Sequence, residues 1–134
     1  MAYFEWSVDL ETGHQDIDDQ HRHLFELANK LQAAALVQEE DDEETVADTI
    51  YELTDYVVQH FNDEEELMAE HGYPSLSSHR ALHEHLTAET MMLAASYFNG
   101  EQVAATKIAP FLAKWLQGHI RAEDMRFVEL IHQS

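Results

Sequence analysis

His21, His60, Glu64, His79, His83, His119 and Asp124 occupy positions where a helical bundle ordinarily places leucine. A carboxylate or imidazole taken out of water without a partner is strongly destabilising, so seven in one interior need a shared counterpart. A metal centre supplies it. The chain has no cysteine, which removes thiolate ligation and disulfides and leaves imidazole and carboxylate as strong donors. His60 and Glu64 are four residues apart, as are His79 and His83. That spacing separates side chains by about 40° around a helix, so each pair can reach one site. A lone H-x-x-x-H or H-x-x-x-E arises readily by chance; the weight lies in all seven falling on inward faces. Seven donors are too many for one tetrahedral zinc, which favours two ions. Imidazole tolerates several first-row metals, so zinc or manganese stays open at this level.

The elements that must position these donors are read from alternating steps of three and four. The first helix turns inward Ile17, His21, Leu24, Ala28 and Leu31, with Asp16 or Asp18 as a cap. It ends around Val37, before an acidic run from Glu39 to Glu44 expected to be a solvated loop feeding a helix N-terminus. The second helix presents Val46, Ile50, Leu53, Val57, His60, Glu64 and Leu67, and stops at His71-Gly72-Tyr73-Pro74. The third carries His79, His83, Leu86, Thr90, Leu93 and Tyr97, is capped by Ser77 or Ser78, and ends near Asn99-Gly100. The fourth carries Ile108, Leu112, Trp115 and His119, with Pro110 in its first turns. There the pattern slips. Asp124 lies five residues beyond His119, about 140° from facing the same way in a regular α-helix. The spacing predicts a π-bulge or short break between them, the kind of irregularity that concentrates at functional sites.

Together these features predict an all-α fold: an antiparallel up-down-up-down four-helix bundle within a single domain spanning residues 1–134. Residues 1–15, with Tyr3, Phe4 and Trp6, form an N-terminal arm packed on the outside or across one end, and residues 16–134 form the bundle. Four glycines, two prolines and 45% apolar residues suit a compact helical chain. Seven basic residues against twenty-seven acidic ones leave a net charge of −20, which argues against nucleic acid and anionic membrane surfaces as partners. No run approaches the roughly 20 apolar residues of a membrane helix, and the acidic N-terminus does not read as a signal peptide. A cytoplasmic location is the expectation.

The motifs resemble those of a known family. Ile17-Asp18-Asp19-Gln20-His21 is similar to the first signature of the hemerythrins, and the run from His60-Phe61-Asn62-Asp63-Glu64 to Met68 to the second. Tyr73-Pro74 followed by His79-x-x-x-His83 resembles the third, and Trp115-Leu116-x-x-His119-Ile120 with Asp124 the fourth. The resemblance runs from Trp6 to the last helix, and the length is similar to that of the stand-alone bacteriohemerythrins. It implies a non-haem centre of two iron ions cycling between Fe(II) and Fe(III). His79, His83 and His119 would hold one iron, and His21 and His60 the other. Glu64, Asp124 and an oxo or hydroxo group would bridge them. One coordination position then stays open, on the iron with two histidines, for dioxygen.

The implied function is reversible dioxygen binding for carriage, storage or delivery, and not enzymatic turnover. Five neutral imidazoles against two carboxylates leave less charge to support high-valent iron than the carboxylate-rich Glu-x-x-His sites of ferritin-like oxidases. An oxygen or iron sensor with a protein partner, and a di-iron oxidase, peroxidase or nitric oxide-handling protein, are the competing readings. Trp115, Leu116, Phe25 and Phe61 are candidate apolar walls. His14, His23, His71, His85 and His132 fall outside the inward steps and read as surface histidines. Glu65 and Glu66 read as a solvated face, and Met68, Met91 and Met92 as packing residues.

Overall fold

The computed structural model describes residues 3–37 and 43–132, with only the backbone at Val37, Gln102 and His132. Four helical rods make up the fold: α1 (Gln15–Val37), α2 (Glu43–Glu70), α3 (Leu76–Phe98), and a fourth. That last rod is built from α4 (Ala105–His119), a π-helical turn (Ile120–Asp124) and α5 (Met125–His132). α1 packs against α2 and α4, and α3 packs against the same two, closing the bundle. Of the acidic run, Glu39 to Asp42 lie outside the described residues, while Glu43 and Glu44 form the first turn of α2, where the helix dipole favours negative charge. No helix among the described residues is long and apolar enough to cross a membrane.

Local chemistry sets the helix ends. His14, not Asp16 or Asp18, caps α1: its Nδ1 accepts the Ile17 amide at 3.3 Å. Asp18 instead turns back, accepting the Thr12 amide and hydroxyl and the Gly13 amide. It thereby ties the arm to the helix start. α3 begins at Leu76, with Ser75 at the N-cap position, ahead of the expected Ser77 or Ser78. α2 ends as its sequence predicts. Gly72 takes φ +63°, and the amides of Gly72 and Tyr73 bond the carbonyls of Ala69 and Met68 at 3.1 and 2.9 Å. That pairing is a Schellman closure.

The arm packs on the outside of α1. Phe4 exchanges backbone hydrogen bonds with the Asn29 amide group at 2.8 Å each way, and Trp6 sits edge-on to Phe25. A short 3-10 turn (Val8–Leu10) buries Leu10 and presents Asp9 to Arg121 of the π-helical turn at 2.7 Å.

The apolar core is split in two. One cluster is centred on Leu24, Leu53, Val57, Leu86, Leu112 and Leu116. A smaller one joins Ile17, Met68, Tyr73, Phe127 and Val128. Along each rod the candidate ligands fall between the two, so they form a polar layer with an apolar cluster on either side. The expected core residues are buried with a few exchanges. Met68 is the fully buried residue where Leu67 is only half-buried, and Ala94 and Leu116 are buried beside half-buried Leu93, Tyr97 and Trp115. Met91 and Met92 are exposed (39% and 68%), so they are not the packing residues expected. Thr90 is tolerated in the core because its hydroxyl donates to the Leu86 carbonyl at 2.9 Å.

Candidate metal centre

All seven sequence-predicted residues meet in that polar layer, each at most 6% exposed. α1 supplies His21, α2 supplies His60 and Glu64, and α3 supplies His79 and His83. The fourth rod brings His119 from the end of α4 and Asp124 from the end of the π-helical turn. The π turn is the predicted irregularity. Widening the helix there absorbs the fifth residue of the His119–Asp124 spacing and turns Asp124 into the core.

Two groupings emerge. Glu64, His79, His83, His119 and Asp124 can each offer a ligand atom to one point, and His21, His60 and Glu64 to a second. The carboxylates lie between them. Glu64 Oε1 is 2.7 Å from His79 Nε2 and 3.4 Å from His83 Nε2, while Oε2 faces His60 at 3.5 Å and His21 at 3.8 Å. Asp124 repeats the arrangement: Oδ1 is 3.1 Å from both His79 and His119 Nε2, and Oδ2 is 3.1 Å from His21 Nε2.

Hydrogen bonding alone does not account for this layer. Glu64 Oε2, both Asp124 oxygens and His21 Nε2 are buried without a well-aligned hydrogen bond from the described residues. His119 Nε2 faces His79 Nε2 at 2.9 Å and His83 Nε2 at 3.2 Å. Facing imidazole nitrogens can share only one proton. The same separations match the edge of an octahedron with metal–nitrogen bonds of about 2.1 Å, which is about 3.0 Å long. The donor set therefore fits a pair of metal ions.

Electrostatics carry the same strain. Burial pushes His60 down to about 4. Burial also acts against His79 and His21, yet contacts to Asp124 and Glu64 raise both, His79 to about 9. Burial opposes ionisation of Asp124 and Glu64, yet neighbouring imidazoles outweigh it, holding Asp124 well below the usual carboxylate range and lowering Glu64 from its ordinary value. Without a cation, the layer resolves its charge by protonating imidazole.

Around the ligands stands a shell that periodicity only partly revealed. His60 Nδ1–H donates to Gln20 Oε1 at 2.6 Å, and Gln20 Nε2 donates to Asp63 at 3.1 Å. His83 Nδ1–H donates to Glu65 Oε2 at 3.0 Å, while Arg80 Nε donates to the other Glu65 oxygen at 2.8 Å. Glu65 is thus not a solvated face residue. It sits one position past Glu64, about 100° round α2, on the flank that meets α3. Each of these bonds fixes the proton on Nδ1 and leaves Nε2 as the donor atom. Phe61 stacks flat on His83 at 3.8 Å and Trp115 on His119 at 4.2 Å, as walls. Phe25 lies a layer out, against Trp6.

The remaining histidines stay apart. His14 caps α1, and His23 packs on Tyr56 at 4.5 Å. His71 is exposed near Phe127, and His85 is exposed facing Glu89 at 4.0 Å. The side chain of His132 lies outside the described residues.

Comparison with known proteins agrees with this geometry. The hemerythrin HHE cation binding domain matches residues 12–131. Bacteriohemerythrin of Pseudomonas aeruginosa (strain PAO1) is 34% identical over 134 residues, covering 100% of this chain and 85% of that protein. Bacteriohemerythrin of Clostridium acetobutylicum is 29% identical over 130 residues, covering 94% and 99%. A wild-type hemerythrin crystal structure superposes with a TM-score of 0.87 at 29% identity, covering 96% of this chain and 97% of the other. A four-helix bundle whose inward His, Glu and Asp side chains meet in one buried layer, matched along nearly its whole length, places this chain in the hemerythrin family.

Proposed function

We propose that this chain binds dioxygen reversibly at a non-haem di-iron centre, for carriage, storage or delivery. His79, His83 and His119 would hold one iron, and His21 and His60 the other, with Glu64 and Asp124 available to both. The observation that carries the reading is the disposition of the carboxylates: each points one oxygen at the three-histidine group and the other at the two-histidine group. When bound, the iron pair supplies the two electrons that reversible dioxygen binding requires.

The protein's part is to hold that pair without spending its reactivity. Five imidazoles, of which Gln20 orients His60 and Glu65 orients His83 as neutral Nε2 donors, add no negative charge to favour high oxidation states. Only two carboxylates offset the iron charge. Phe61 and Trp115 lay aromatic faces on His83 and His119 of the three-histidine side, and Trp6 lies outside His21 at 6.5 Å. The three-to-two division of histidines makes the His21–His60 side the less saturated one, and dioxygen is expected there.

The test is anaerobic loading of the metal-free protein with ferrous ion, followed by visible spectra before and after air and again after argon. Two irons per chain and an absorption that appears with air and fades with argon are expected. His119→Ala should abolish that stable spectrum. Well under two irons, or irreversible oxidation with substrate turnover, would overturn the reading in favour of another metal or an enzyme.

A further inference from the structure

Between the start of α1 and the end of α2 lies a cleft of about 490 Å³. Its rim carries Asp16, Asp19, Asp63, Glu66 and Glu70, all exposed, and no lysine or arginine lines it. Asp19 is paired with Arg22 and Asp63 with Gln20, but no ion pair among the described residues engages Asp16, Glu66 or Glu70. An acidic rim alone would be a solvated surface. Here the lining also includes Glu64, only 2% exposed, whose Oε2 has no hydrogen bond and faces His60 and His21. The lining includes Gln20 too, which touches the rim through Asp63 and the buried layer through His60. The cleft therefore joins a solvent-facing acidic rim to Glu64 of the centre and to Gln20 beside it.

We propose that this cleft captures aquated divalent cations and is the route by which ferrous ion reaches the His21–His60 side of the centre; the proposal rests on the di-iron reading above. Six waters at roughly 30 Å³ each occupy well under half the volume, so an ion can arrive with its hydration shell. Carboxylate and water ligands hold such ions weakly, while imidazole binds iron more firmly, which gives a downhill path from rim to interior. The net charge of −20 strengthens the local cation concentration at the rim. Gln20, bonded to Asp63 at the rim and to His60 in the buried layer, stands on this path, and its side chain swings aside for the ion to pass inward.

Uptake of aqueous ferrous ion by metal-free protein, followed anaerobically by quenching into a chromogenic chelator, tests this. The variant combines Asp16→Asn, Glu66→Gln and Glu70→Gln. A control loses the same charge at exposed positions that do not line the cleft, through Asp48→Asn, Glu84→Gln and Glu89→Gln. The cleft variant should load about tenfold more slowly than the control, with the same final stoichiometry and the same aerobic spectrum. Added salt should slow the unmodified protein more than the cleft variant. Equal loading rates for cleft variant and control, or equal salt dependence, would overturn the proposal while leaving the di-iron reading intact. Fewer than two irons at the end point in the unmodified protein would instead defeat that earlier reading.

Discussion

The five-residue step from His119 to Asp124 makes an unusual demand that can be tested by changing chain length. In a regular α-helix, four residues turn about 400°, so a carboxylate at that spacing shares a face with its histidine, as Glu64 does with His60. Deleting exposed Ala122 restores that spacing. It also sets Phe127 seven and Ile131 eleven positions after His119, within about 20° of the same face. The π turn should therefore revert to α-helix with the site and the core of α5 retained. Inserting one alanine after Ala122 does the opposite: six residues leave Asp124 about 120° away from the inward face. Phe127 and Val128, 0% and 1% exposed, turn with it. At roughly 1.5–3 kcal/mol for each buried side chain, insertion should cost about 3–6 kcal/mol, a large part of a typical domain's stability of about 5–15 kcal/mol. Thermal melting by circular dichroism and iron stoichiometry provide the assay. The deletion should keep two irons and nearly the same melting temperature, while the insertion should lose iron and melt early. A deletion variant that cannot bind iron, or an insertion variant that still can, would refute the reasoning.

Glu65→Ala removes the acceptor for His83 Nδ1–H, and iron affinity measured by chelator competition should fall about 10- to 100-fold with helicity unchanged. Metal-free protein should be most stable near pH 6.5. His79, raised to about 9, contributes stability that is full below 6.5 and is lost as pH climbs toward 9. His60, depressed to about 4, withdraws its contribution as pH falls from 6.5 toward 4, and the depressed carboxylates of Asp124 and Glu64 add to the acid loss. A pH series of melting curves that rises steadily in either direction would contradict that balance. Iron loading should raise the melting temperature, because the seven buried donors then share a counterion.

Much of the fold and of the candidate ligand layer was legible in the sequence because both depend on local periodicity. Steps of three and four put His21, His60, Glu64, His79, His83 and His119 on inward faces without any knowledge of the neighbouring helix. The single five-residue step announced the π turn, and Gly72 announced the end of α2. Cap identity was less legible, since Asp18 and His14 both stand near the start of α1 and only the path of the arm decides which one meets the free amides. Of the shell around the candidate ligands, the aromatic walls Phe61 and Trp115 were legible, but the hydrogen-bonding partners were not. Gln20 and His60 are 40 residues apart, and Glu65 and His83 are 18 apart. Whether such side chains touch depends on how far each rod is rotated against its neighbour, which no spacing within one helix encodes. Periodicity told which residues face inward; only packing of four rods decided which oxygen of Glu64 and Asp124 faces which histidines, and that a flank residue such as Glu65 meets α3 instead of water.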